Sequence, residues 1–141
     1  MSLFFSSKPK PLHLNPYHIM TIGVIYVMAA DGEIDEEELG QLQSIVAGDE
    51  DLFHESVTYV KSNSLDHFLE EAAPLVNDAQ ALCILVNMAD SLLANGKADT
   101  EELKLFHKAL IAFGWSVQEF SPYFDTLAVK NDHSVLGGHF E

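Results

Sequence analysis

A ten-residue pattern occurs twice in this chain, offset by 64 positions, and it constrains the fold more than any other feature. Ala30-Asp31-Gly32-Glu33-Ile34-Asp35-Glu36-Glu37-Glu38-Leu39 aligns with Ala94-Asn95-Gly96-Lys97-Ala98-Asp99-Thr100-Glu101-Glu102-Leu103. Each copy follows a segment that is apolar nearly all round. The first runs from Tyr17 to Ala30 through Ile19, Met20, Ile22, Val24, Ile25, Val27 and Met28. The second reaches Ala94 through Ala81, Leu82, Cys83, Ile84, Leu85, Val86, Met88, Ala89, Leu92 and Leu93. Both runs are too long for a strand, and in the first Met20, Met28, Ala29 and Ala30 favour helix over the strand its β-branched residues suggest. A helix without a polar face belongs in the middle of a bundle. An amphipathic segment follows each copy, with Leu42/Phe106 and Val46/Leu110 in register. The expected fold is therefore all-α: a bundle of about seven helices, with a pseudo-twofold repeat of helix-turn-helix halves around two apolar central helices.

Local signals set the expected boundaries. Asn15-Pro16 reads as a cap followed by proline at the first helical position. Asp35 with Glu38, Asp99 with Glu102, and Ser116 with Glu119 each carry capping-box spacing. A helix from about Glu36 to Ala47 buries Leu39, Leu42, Ile45 and Val46. One from Asp51 to Lys61 turns Phe53, Val57 and Val60 inward. Ser64 caps a short helix from Leu65 to Ala73, halted near Pro74. Asn77 caps the second apolar helix, and the following amphipathic one carries Leu103, Phe106, Leu110 and Ile111 to a stop at Gly114. A last helical stretch reaches about Lys130, with Pro122 near its start or at a kink. Residues 1–14 read as an N-terminal arm, 15–130 as one helical domain and 131–141 as a C-terminal tail.

Charge narrows the function classes. Twenty-two acids face seven bases, for a net charge of -15; all seven bases are lysine, and none occurs between Pro11 and Val60. A nucleic-acid partner is not expected, because phosphate binding needs a basic face. An anionic membrane surface is disfavoured on the same ground. Polar residues interrupt every apolar run before a bilayer-spanning length of about 20 residues, so direct membrane insertion is not expected. MSLFFSSKPKP offers no secretory h-region. The single Cys83 cannot make an internal disulfide, which suits a reducing compartment such as the cytoplasm, and its setting in ALCILV predicts a buried, inert thiol.

The string MAADGEIDEEE, with its weaker echo LLANGKADTEE, resembles the TerB-like family, which includes tellurite resistance protein B and a related domain in DjlA-type co-chaperones. The resemblance covers roughly Tyr17 to Val129 and rests on an alanine-rich helix end, Asp-Gly, a polar-apolar step, Asp and Glu. It implies an all-α fold, a bacterial cytoplasmic stress protein and a cation site at the acidic turns. Asn95 stands where the pattern has Asp, which weakens the second site.

Residues 31–38 hold six acids among eight positions and no base. Two carboxylates ~5 Å apart repel by ~3 kcal/mol at an effective dielectric near 20, and a hard cation such as Ca²⁺ or Mg²⁺ relieves that repulsion. A standard EF-hand is rejected, because its two leading ligand positions fall on Val27 and Ala29. The candidate metal ligands are Asp31, Asp35 and Glu38, with Asp99 and Glu102 in the second copy. The alternative is purely structural: Asp-Gly suits a turn, Asp35 and Glu38 suit a helix start, and Glu36 and Glu37 favour the positive end of the helix dipole. Both readings stand at this level.

Other residues carry weaker signals. Asp90 inside the second apolar helix needs a partner if buried and none if it faces solvent. The seven histidines lack the spacing of a zinc site, and His54 and His67 read as surface residues. No P-loop, GxSxG or dinucleotide fingerprint occurs. The expectation is a non-enzymatic protein, with two functional alternatives: a divalent-cation module at residues 31–38, or an acidic module that docks a basic protein or a membrane-associated complex.

Overall fold

A computed structural model describes residues 12–30, 40, 42–44, 46, 48–94 and 99–137, and all regular structure among them is helical. The helices are α1 (Pro16–Met28), α2 (Glu50–Ser62), α3 (Leu65–Ala72), α4 (Asp78–Leu93), α5 (Thr100–Ala112), α6 (Val117–Asn131) and the single turn α7 (Ser134–Gly137). A 3-10 turn at Ala73–Leu75 follows α3, and the described positions from 40 to 46 are also helical.

Helix α1 begins where Asn15 Oδ1 accepts from the His18 N–H and Pro16 pre-sets the first turn. It buries His18, Ile19, Thr21, Ile22, Gly23, Val24, Ile25, Val27 and Met28, residues that between them cover its whole circumference. It packs along α4 and α2 and touches α5. The α1 and α4 helices run in the same direction. Tyr17 and Met20 lie beside Gln80, Cys83 and Ile84, and one turn further Gly23 backs onto Met88. Ile22, Ile25, Leu85 and Met88 all belong to the buried core, as the apolar patterning predicts.

Helix α4 buries Ala81, Ile84, Leu85, Met88, Ala89, Ser91 and Leu92 and supports α5 and α6. It is not apolar on every side of its packing. Cys83 is exposed, correcting the expectation of a buried thiol. Cys83 lies one residue before Ile84, and that step of about 100° carries it off the buried face.

One other pattern needs correction. In α5 the buried face is Glu102, Phe106, Ala109 and Leu110, whereas Leu103 is 44% and Ile111 60% exposed. Ile111 sits about 100° beyond Leu110 and so leaves the packed row. Leu103 lines a groove against α6 that no described element fills. In α2 the deepest residues are Ser56 and Tyr59, with Phe53, Val57 and Val60 packed at partial exposure around them. Leu42 and Val46 are buried as expected, while Leu39 and Ile45 lie outside the described residues.

Two glycines stop helices by adopting a left-handed backbone, Gly48 at φ 80° and Gly114 at φ 84°. Pro122 lies inside α6 rather than at its start. No described helix is long and apolar enough to cross a membrane.

Candidate functional site

The second acidic turn shows what its residues do locally. Asp99 Oδ1 accepts from the Glu102 N–H at 2.8 Å, and Glu102 Oε1 accepts from the Asp99 N–H at 3.1 Å. This reciprocal pair starts α5 and satisfies two of the backbone donors that a helix N-terminus leaves open. Asp99 is exposed, while Glu102 is 8% exposed against the core. Each carboxylate thus has one oxygen committed to the backbone. Asp31, Asp35 and Glu38 lie outside the described residues. Among the described residues, no group of three or more His, Cys, Asp or Glu side chains is arranged to hold a metal ion.

Three polar clusters join residues distant in sequence. Near the start of α1, His18 Nε2 lies 3.2 Å from Glu55 Oε1. The pair borders a cleft of about 390 Å³ lined also by Asn15, Tyr17, Val46, Asp49, Asp51 and Leu52. Between α2 and α3, the Tyr59 hydroxyl donates to Glu71 Oε1 at 2.6 Å, and His67 Nε2 lies 3.5 Å from the same oxygen. Burial, reinforced by the bond to Glu71, pushes the Tyr59 phenol well above the usual tyrosine range. Nearby, the Tyr26 hydroxyl donates to the Asn63 carbonyl at 2.7 Å, and burial pushes Tyr26 up to about 12. Between α4 and α6, Lys130 Nζ donates to both Asp90 oxygens at 2.8 and 2.9 Å, and Asn131 Nδ2 adds a bond of 2.8 Å. Asp90 therefore has the partner its position in α4 calls for.

These clusters hold helices together, and the sequence carried little signal for them beyond Asp90 itself. His54 and His67 are exposed, as expected. An apolar groove of about 300 Å³ between α5 and α6 is lined by Leu103, Phe106, Leu110, Val117, Phe120 and Phe124, with His107 and Ser121 at its edge.

No protein-family model matches the chain, and no curated protein or solved structure matches it at a significant level.

Proposed function

We propose that this chain is a non-enzymatic TerB-like domain whose working part is the acidic turn at residues 31–38, which takes a divalent cation, Ca²⁺ or Mg²⁺, in a bacterial stress response. The observation that carries the reading is the difference between the two copies of the repeat. In the second copy a helix start is built from Asp99 and Glu102. Their counterparts in the first copy are Asp35 and Glu38. Three of the remaining positions differ in kind: Asp31, Glu33 and Glu36 stand where the second copy has Asn95, Lys97 and Thr100, while Glu37 matches Glu101. Capping uses two acids in the second copy, and the same spacing offers Asp35 and Glu38 for that task in the first. Three acids of the first copy thus have no acidic counterpart in the second, and the repulsion within so dense a run is what a hard cation relieves.

Pairing of the copies draws support from features beyond the motif. Gly48 and Gly114 end the second helical stretch of each half with nearly the same backbone angle. Helix α2 packs back on α1 as α6 packs back on α4. Such correspondence favours a pseudo-twofold arrangement around α1 and α4, and with it the use of the second turn as a reference for the first. Calorimetric titration with Ca²⁺ and Mg²⁺ tests the proposal. Saturable binding that is lost in Asp31→Asn and retained in Asp99→Ala is expected; no heat at millimolar metal ends the cation reading.

A second reading has its own observation. Glu55, Asp49 and Asp51 border the cleft at the start of α1, within the fifty-residue stretch that lacks Lys and Arg. An acidic module docking a basic protein or a membrane-associated complex would use such a face, and its partner would wash off as salt rises.

A further inference from the structure

Capping boxes close on Gln80, Glu102 and Glu119 at the starts of α4, α5 and α6, but at α1 the same position is an imidazole. From this difference we infer that His18 is an acid-sensitive latch on the chain entering α1. An amide oxygen accepts a hydrogen bond at any pH, whereas an imidazole nitrogen accepts only while it is unprotonated. His18 Nδ1 accepts from the Asn15 N–H at 3.3 Å, and Nε2 lies 3.2 Å from Glu55 Oε1. The first contact needs a bare Nδ1. The second, against a carboxylate, needs a proton on Nε2. Both contacts therefore specify one neutral tautomer.

Among the described residues, the ionisable groups around the His18 cleft are Glu55, Asp49 and Asp51 on α2 and its cap, with Tyr17 on α1 itself; Val46, from the stretch before α2, adds no charge. Glu55 is the one of these acids within bonding reach of the ring, through Nε2, while Nδ1 faces the Asn15 N–H. The His18 side chain is 9% exposed, so it has little water to turn to. A proton on Nδ1 sets donor against donor at Asn15. Rotating the ring would withdraw Nε2 from Glu55, just when protonation makes that bond charge-assisted. The cap yields instead. Protonation exchanges the Asn15 N–H bond for an ion pair between α1 and α2. The chain at residues 12–15, where Leu12 and Leu14 rest on the core, loosens, and the α1–α2 seam tightens.

Imidazole ¹⁵N spectra of the unmodified protein at pH 8 read the tautomer directly. A protonated Nε2 with a bare Nδ1 is expected, and the opposite tautomer would overturn the latch. Amide-exchange protection of Asn15, corrected for intrinsic rates, is then followed from pH 8 to pH 5. It should fall roughly five- to tenfold, the size of one net hydrogen bond, in step with the His18 ring shifts, while protection of Asp99 does not follow them. His18→Gln keeps an acceptor at the same position and should hold Asn15 protected across the range. Asn15 protection indifferent to the charge on His18, or the same pH dependence in His18→Gln, would overturn the proposal.

Discussion

Gly23 is where a single added carbon has the clearest consequence. A Cβ there would lie 2.8 Å from Met88 Sδ and 3.2 Å from Met88 Cγ, and Met88 is itself fully buried. Alanine gains roughly 0.5–1 kcal/mol over glycine inside a helix. Overpacking a filled core loses ~1–3 kcal/mol, so Gly23→Ala should destabilise on balance. The loss should shrink when Met88 is also cut to alanine, a coupling that urea melts of the single and double variants would measure. Leu85, 0% exposed in the same core, should lose ~2–5 kcal/mol on replacement by alanine; a loss below ~0.5 kcal/mol, the surface range, would remove it from the core. The buried tyrosines set an alkaline limit. Their folded pKa values lie above the unfolded value of 10.0, so their contribution is fully present below pH 10 and is lost as pH rises, for Tyr26 through about 12. Denaturant melts should show that loss beginning above pH 10, and Tyr26→Phe together with Tyr59→Phe should flatten it. Cys83 shows where residue-level reading failed. Its apolar neighbours in sequence said nothing about which side of α4 the bundle covers.

Caps are the part of the fold that was most legible, because their chemistry is confined to four consecutive residues. Asn15, Asp99 and Ser116 cap their helices as their spacing predicts, and Ser64 and Asn77 do likewise. The imidazole that completes the box at α1 was missed, since histidine is not a usual acceptor at that position. Removing the Asp99 side chain should destabilise by ~0.5–2 kcal/mol whether or not metal is present, as thermal melts in chelator and in millimolar Mg²⁺ would show. Contacts between helices were not legible. His18 and Glu55 are 37 residues apart and Asp90 and Lys130 are 40, and no local pattern announces such pairs. The apolar faces of α5 were read too widely for a related reason. Leu103 and Ile111 are hydrophobic, but burial depends on what packs over them, and α6 leaves the first in an open groove. Asp90, one quarter exposed, ties α4 to the end of α6. Asp90→Asn should weaken that tie modestly, with a stability difference that shrinks as salt rises.

Across the whole molecule, the acid excess and the unequal copies of the repeat carry the functional account. The candidate site was only half legible in physical terms: spacing identified Asp99 and Glu102 as a pair, but the same spacing serves a cap and a cation. The described structure makes that pair a cap, and the acids of the first copy exceed what a cap uses. A net charge of -15 also means that any added cation screens self-repulsion, so metal-induced stabilisation alone is not specific. Variants of the two turns separate the contributions. The most direct measurement is a set of melting curves at fixed ionic strength for wild type, Asp31→Asn, Glu38→Gln and Asp99→Ala, each with and without millimolar Ca²⁺ or Mg²⁺. Specific binding stabilises by RT ln(1 + [L]/Kd). The account predicts a metal-induced rise in wild type and in Asp99→Ala, and a much smaller one in Asp31→Asn and Glu38→Gln. Equal rises in all four proteins would contradict a cation site at residues 31–38.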